Sequence, residues 1–390
     1  MMRILQIHNK YQIRGGEYSV LKNEARLLNK EGNSIEQLFF ENENIQSLKD
    51  KLITGFNVLY NFKSARLLKR KIIKFKPDII HVHNYFPLAS PSIFYVANKK
   101  KIPIVMTLHN YRLICPNALL LKNNQICELC VNKSFAFDGV LNSCYRDSRA
   151  QTFILAFMSF MHKKFKTWNT KIDKYIALTN FAKNKMENSS LKLKNDKIVV
   201  KPNFVEDYGF ENTKEDYFLF IGRLSEEKGI DLLLNAFILN GEPLQIIGKG
   251  PKEKNVIDTA SKYANISYLG FQEKAFIMQK LRKARALIFT SICYETFGMT
   301  IIEAFSTGTP VIGPNIGGPN EIINHGENGL IYQVSDLDDL NRKIYLLNTE
   351  ESLQSKLSIG ARSSYELNYS PEKNYKMLMD IYKEVIHEKT

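Results

Sequence analysis

Long apolar runs are missing from this sequence. Its longest strongly apolar stretch, residues 153–161, is far short of the roughly 20 residues that a membrane-spanning helix needs. The first ten residues, MMRILQIHNK, contain no apolar core before a small-residue cleavage site, so no secretory signal is expected. No internal repeat marks a solenoid, and no low-complexity tract marks a disordered chain. Carboxylates do not cluster as they would around a catalytic Mg²⁺. The expected location is cytoplasmic, with a peripheral place on the inner face of the plasma membrane left open.

The chain has 390 residues, a mass of 45.0 kDa and 44% apolar residues, enough for two domains with a core each. Charge is unevenly divided. Residues 1–200 carry 33 Lys and Arg against 14 Asp and Glu, a net +19; residues 201–390 carry 21 against 26, a net −5. A basic half next to an acidic half bears on partners and not on fold. An anionic membrane surface and a phosphorylated acceptor both fit, as does a merely solvated Lys-rich face. No nucleic-acid partner is expected, because charge alone argues for one and no binding motif does.

Short β-branched runs alternate with helical patterns throughout, which predicts βαβ units and parallel sheets. Six strands are expected in the first half, at 3–8, 35–39, 78–83, 102–108, 174–178 and 197–201. Six more are expected at 218–222, 244–248, 266–270, 286–290, 310–313 and 329–332. Twelve strands are too many for one sheet of this kind. Acidic polar residues around 205–216 read as a linker. The organisation is therefore 1–205, 206–370 and a C-terminal helix at 371–390. Ligands of open α/β sheets bind beyond the carboxyl ends of strands, so polar and Gly-rich residues there are the ones to weigh.

Foremost is Glu295-Thr296-Phe297-Gly298-Met299-Thr300-Ile301-Ile302-Glu303, which follows the strand ALIFT and opens a helix. Gly298 lets a ligand approach the backbone. The free amides at the helix start favour a phosphate. Glu295 and Glu303 could then hold sugar and ribose hydroxyls. Next is Gly222-Arg223-Leu224-Ser225-Glu226-Glu227-Lys228-Gly229, after the first strand of the second half. Arg offers phosphate a planar fork and Lys a mobile charge.

These two motifs together resemble those of glycosyltransferase family 4, whose members are retaining enzymes of the GT-B fold: two Rossmann-like domains facing each other across a cleft. The resemblance covers nearly the whole chain. It implies that Arg223 and Lys228 hold a donor diphosphate, that Glu295 lies near the transferred sugar, and that the amides of Phe297, Gly298, Met299 and Thr300 stabilise the leaving group. It also implies that Gly15 and Gly16 approach the donor phosphates, that Gly248, Gly270 and Phe271 lie near the base, and that His109 contacts the transferred sugar. His81 and His83, at the end of another strand, read as structural or acceptor-side. The implied donor is a UDP- or GDP-sugar, the implied acceptor a saccharide, expected to be polyprenyl-linked, and no metal or other cofactor is expected in catalysis. A catalytically silent binding protein of the same fold, an epimerase and a phosphorylase are the alternatives. Intact Arg223, Lys228, Glu295, Glu303 and His109 argue against the first, and the pairing of the two motifs against the others.

An insert at about 111–150 carries Cys115, Cys127, Cys130 and Cys144. A cytosolic protein is not expected to hold disulfides. One C-x2-C pair with two flanking cysteines is compatible with a tetrahedral structural zinc, with free buried thiols as the alternative. The apolar run after it, with Phe153 and Phe157 and a basic end, reads as a core helix or as one that docks on anionic lipid.

Overall fold

The computed structural model describes residues 1–10, 16–41, 57–211 and 213–389. Gly15 therefore lies outside the described residues. The chain divides into two compact units. One comprises Met1–Leu120, Cys127–Pro202 and Asn374–Thr390; the other comprises Leu121–Ile126 and Asn203–Lys373.

The first unit is built on a six-stranded parallel sheet. Its strands are β1 (Arg3–Lys10), β2 (Ser34–Glu41), β3 (Ile79–Val82), β4 (Ile104–Thr107), β7 (Lys174–Ala177) and β8 (Ile198–Val200). Their spatial order is β2-β1-β3-β4-β7-β8. The central strands IIHV, IVMT and KYIA are buried at every position, as expected where helices cover both faces of a parallel sheet. Between β4 and β7 in the chain, a two-stranded ribbon of β5 (Leu121–Lys122) and β6 (Gln125–Ile126) turns through Asn123 and Asn124. Their φ values of 49° and 58° suit the twist of a two-residue hairpin.

The second unit repeats the six-stranded plan with β9 (Phe218–Ile221), β10 (Leu244–Ile247), β11 (Ile266–Gly270), β12 (Ala286–Ile288), β13 (Val311–Pro314) and β14 (Gly329–Tyr332). The order is β11-β10-β9-β12-β13-β14, all parallel. All twelve expected strands are present, with ends within two residues of those read from the sequence. Only the short ribbon was not expected.

In both sheets the chain winds outward from its first strand and then returns to that strand's other side. The reversal falls between β1 and β3 in the first sheet and between β9 and β12 in the second. At such a point two neighbouring loops leave in opposite directions and open a crevice beyond the strand ends. The two reversals therefore mark where each unit can bind.

The C-terminal helix, Pro371–Lys389, was read from the sequence as a segment of its own. From Asn374 onward it belongs to the first unit. Its Leu378, Ile381, Tyr382 and Val385 pack into one core with Ile4, Leu28, Ile79, Val105 and Ile176. Polar contacts fasten it: Lys201 Nζ donates to Asn374 Oδ1 at 3.0 Å, and Lys174 Nζ pairs with Glu384 at 2.7 Å. Burying one face is what turns its helical period into a place in the fold. No helix among the described residues is long and apolar enough to cross a membrane.

Candidate functional site

At the reversal of the second sheet, the loop after β9 is stitched to both neighbouring loops. Gly222 N donates to Ile247 O at 3.1 Å, and Leu224 N to Lys249 O at 3.0 Å. A Cβ on Gly248 would sit 1.8 Å from Gly222 O, so only glycine lets these loops approach so closely. On the other side Ile292 N donates to Glu227 O at 3.0 Å and Thr290 Oγ1 donates to Lys228 O at 2.7 Å. Gly229, with φ +67°, lies so near that a Cβ there would be 2.1 Å from Thr290 O.

This stitching carries Lys228 to Glu295. Lys228 Nζ and Glu295 Oε1 form an ion pair, their side chains 26% and 22% exposed. Ser291 Oγ donates to the same carboxylate oxygen at 2.8 Å. Burial by itself would raise the Glu295 carboxyl. The Lys228 ammonium and the Ser291 hydroxyl outweigh it and hold the carboxyl below the usual range. Burial likewise opposes the charge on Lys228, but Glu295 raises it above the ordinary lysine value. Both groups are therefore ionised at neutral pH. Arg223, five residues before Lys228 on the same loop, is exposed, and its carbonyl accepts from Ser225 N at 3.0 Å.

The other residues that the resemblance assigns to the donor have unequal freedom. Phe297 is buried, its ring edge-on to Tyr369 at 6.1 Å, so that only its backbone can meet a ligand. Gly298, at φ 157° and ψ 77°, precedes the helix Met299–Ser306, whose first residues Met299 and Thr300 are half-buried. Glu303 does not join Glu295; it pairs with Lys274 at 2.5 Å. Gly270 O accepts from Gly248 N at 2.9 Å, and the next ring, Phe271, is exposed. Sequence reasoning missed Ser291 and Lys274. A serine four residues before Glu295 in the same loop was a visible signal for the first; for Lys274, on another loop-helix junction, the sequence held none.

The reversal of the first sheet gathers a second set. His109 Nε2 lies 3.1 Å from His83 Nδ1, and His83 Nε2 lies 3.2 Å from Glu24 Oε1. His81 Nδ1 lies 2.9 Å from that same oxygen. His81 and His83 share one face of β3 by the period of two, and that spacing could have paired them in the sequence. Glu24, from the middle of the helix Gly16–Lys30, could not be picked out that way. Gly16 opens that helix, and Glu17 after it lies against Asn84, whose Nδ2 donates to it at 3.0 Å.

Cys115 and Cys144 both lie near enough to Cys130 to act on its thiol electrostatically. A zinc tetrathiolate holds its sulfurs about 3.8 Å apart, from Zn–S bonds of about 2.3 Å. No three of Cys115, Cys127, Cys130 and Cys144 have sulfurs within 4.8 Å of one another; among the described residues the groups that do approach so closely are Glu24, His81 and His83. Cys115 Sγ instead donates to Asn117 Oδ1 at 2.9 Å, and burial raises the thiols of Cys115 and Cys130.

Two parallel-sheet α/β units with cationic and glycine-rich loops at the strand ends have the architecture of GT-B glycosyltransferases. The sequence comparisons agree. Residues 204–364 match the glycosyl transferases group 1 family and residues 33–207 match glycosyltransferase family 4. The chain belongs to these family 4 glycosyltransferases. It is 26% identical over 310 residues to an uncharacterised glycosyltransferase of Methanocaldococcus jannaschii, covering 79% of this chain and 76% of that one. It is 27% identical over 300 residues to an uncharacterised 42.6 kDa protein in the cps region of Klebsiella pneumoniae, covering 75% and 72%. Its fold is similar to that of the Anabaena protein HepE solved with UDP, with a TM-score of 0.67, 16% identity and coverage of 98% and 100%.

Glu17 supplies a test of the first unit's geometry. Burial pushes its carboxyl up to about 7, against the pull of Asn84 and Arg112. A carboxyl with a raised folded pKa binds its proton more tightly when folded. The stability it confers is complete below about 4.5 and is lost as pH rises through about 7. Glu17→Gln should remove this slope. Relative to the variant, the wild type should lose on the order of 3 kcal/mol between pH 4 and pH 8, read by urea unfolding. Parallel pH profiles for the two proteins would show that the carboxyl is not held as described.

Proposed function

We propose that this chain transfers a sugar from a nucleoside-diphosphate donor to a saccharide acceptor on a polyprenyl carrier, with retention of configuration and without a catalytic metal. The observation that carries the proposal is the ionised Lys228–Glu295 pair at the reversal of the second sheet, with Arg223 exposed on the same loop as Lys228. The UDP held by the Anabaena neighbour supports the donor class, and the cps-region relative supports a role in surface polysaccharide assembly.

Before the donor binds, Glu295 neutralises Lys228. An incoming diphosphate offers Lys228 a more highly charged partner and leaves Glu295 to accept from a hydroxyl of the sugar. Glu303 takes the ribose, the backbone near Gly248 and Gly270 takes the base beside Phe271, and His109 takes the transferred sugar. As the glycosidic bond breaks, negative charge grows on the diphosphate. Arg223, Lys228 and the amides of residues 297–300 meet that charge as it grows, and groups that interact more strongly with the transition state than with the ground state accelerate transfer. The acceptor attacks the same face that the diphosphate leaves, and a diphosphate oxygen takes the acceptor's proton.

The acceptor's lipid has a surface to meet. On the helices Phe137–Leu141 and Arg149–Lys164, the side chains of Phe137, Leu141, Phe153 and Phe157 are 58%, 52%, 50% and 37% exposed. Arg146, Arg149, Lys164 and Lys166 are exposed on the same stretch. Apolar rings within a basic surround suit the interface of an anionic bilayer. Lys163 does not contribute, because its Nζ donates to Ser190 Oγ at 2.8 Å.

Three outcomes are expected. Arg223→Ala should lower kcat by about a hundredfold and weaken nucleoside-diphosphate binding, whereas Glu295→Gln should lower transfer with little change in that binding. Transfer undiminished in Glu295→Gln would remove Glu295 from the sugar site. In EDTA the initial rate of transfer should persist without added Mg²⁺ or Mn²⁺; loss of rate with rescue by either ion would overturn metal independence. Co-sedimentation with vesicles containing phosphatidylglycerol should drop in the Phe153→Ser/Phe157→Ser double variant and be absent with pure phosphatidylcholine. Equal binding to both lipids, or by both proteins, would count against docking through this face.

A further inference from the structure

Ser291 stands at a fixed point beside the Lys228–Glu295 pair. Its neighbours in the loop after β12 are tied down one after another. Phe289 N donates to Ile312 O at 2.8 Å, Thr290 Oγ1 to Lys228 O at 2.7 Å, and Ile292 N to Glu227 O at 3.0 Å. The serine itself is buried, 2% exposed, and a buried hydroxyl needs a partner inside the protein. It finds one in Glu295 Oε1, to which it donates at 2.8 Å. The backbone of Glu295 is held as well: Glu295 N donates to Cys293 O at 2.9 Å, and Gly318 N to Glu295 O at 2.8 Å. Serine and glutamate are thus joined between two fixed stretches of chain.

Both donors to this carboxylate fall on one oxygen. Lys228 Nζ meets the same Oε1 that Ser291 does, and Oε2 has no hydrogen-bond partner among the described residues. Oε2 is therefore the oxygen left to accept from a ligand hydroxyl. The other ionisable neighbours do not compete for the place. Glu227 accepts from Ser225 Oγ at 2.6 Å, and burial pushes the Cys293 thiol up, so that it stays protonated. The two donors on Oε1 differ in reach. The ammonium of Lys228 ends a flexible four-carbon stem and can swing to a phosphate. The hydroxyl of Ser291 stands one carbon from a backbone that is tied on both sides, and it cannot follow.

We propose that Ser291 is a positioning residue for transfer: when a donor diphosphate draws Lys228 away, the Ser291 hydroxyl keeps its hold on Oε1 and so keeps Oε2 turned to the transferred sugar. This rests on the assignment of Glu295 to that sugar. The last torsion of a glutamate is broad and not confined to staggered wells, so a carboxylate without an anchor turns freely. Misorienting a group that meets the substrate costs rate more than it costs binding.

The test is a double-mutant cycle on the full chain, read as kcat for transfer, together with the Kd for UDP and GDP. Ser291→Ala should lower kcat about tenfold and change the nucleoside-diphosphate Kd less than about threefold. In a Glu295→Ala background the same substitution should change kcat less than about twofold, because the group through which Ser291 acts is gone. A merely structural serine would cost the same factor in both backgrounds, and that result would overturn the proposal. So would an undiminished kcat in Ser291→Ala. A crystal structure of the wild type with UDP or GDP, whichever raises the melting temperature, examines the anchor without any variant. It should show Lys228 Nζ on the diphosphate and Ser291 Oγ still within about 3 Å of Glu295 Oε1. Ser291 turned away from Glu295 in that complex would overturn the proposal. If Glu295→Ala transfers at the wild-type rate, the assignment of Glu295 to the sugar fails, while the complex still decides whether Ser291 holds the carboxylate once Lys228 has left.

Discussion

Lys228 and Glu295 face each other across the place where the second sheet reverses, and much of the surrounding backbone is arranged so that they can. Lys228 lies on the loop after β9 and Glu295 on the loop after β12, 67 residues later. Apart from the single 3-10 turn Glu226–Lys228 neither loop is regular structure, and an irregular loop positions a charge only if its own polar groups are tied down. The ties are the bonds from Ile292 N to Glu227 O and from Thr290 Oγ1 to Lys228 O, together with the glycine contact at Thr290. From the other side, Gly317 and Gly318 lie against the backbone of Glu295, and Gly318 N donates to Glu295 O at 2.8 Å. An exposed ion pair contributes little to stability. This pair is better understood as two charges kept ready at a site, each preventing the other from being buried alone.

The two units solve the same problem of burying charge at a sheet reversal in opposite ways. In the second unit a cation and an anion meet with about a quarter of each side chain still in water, so either can change partners at modest cost. In the first unit Glu24 is sealed, and its charge is balanced by N–H groups of a glutamine and two histidines. Leaving such a carboxylate unpaired would be prohibitive, and that cost is what gives the arrangement its specificity: every ring nearby must present a proton to it. One unit therefore has a charge pair that can exchange partners, and the other has a buried carboxylate held by a fixed set of donors.

The sheets were legible because their signal is local. Runs such as IIHV, IVMT and FLFI are short, β-branched or aromatic, and bounded by polar turns, so each strand announces itself within a few residues. The donor motifs were legible for the same reason: Gly222–Gly229 and Glu295–Glu303 are continuous in sequence, and the strand before each fixes where it must lie. Partnerships across the chain were not legible. Nothing near Glu303 points to Lys274, and nothing in the spacing of the four cysteines distinguishes a zinc cage from separate thiols. Cys115 Sγ donates to Asn117 Oδ1, a partner only two residues away. For the run after the insert the sequence left two readings open. Thr152, Leu155, Ala156 and Met158 are buried while Phe153 and Phe157 stack on each other in the open, so one helix has a core face and an apolar outer face together.

The histidine chain shows how far such a dependence can reach. Tyr382 meets His81 across 301 positions of sequence, because the C-terminal helix is drawn onto the first sheet by Leu378, Ile381 and Val385. His81 competes with His83 for one carboxylate oxygen, and Tyr382 OH gives His81 Nδ1 a second acceptor. With Tyr382 there, His81 need not draw Glu24 wholly to itself, and the carboxylate remains within reach of His83. The helix at the end of the chain thus does more than cover apolar surface. By sharing the proton of one histidine it leaves the carboxylate available to the next, and the packing of a terminal helix becomes a condition on which partners a buried carboxylate keeps.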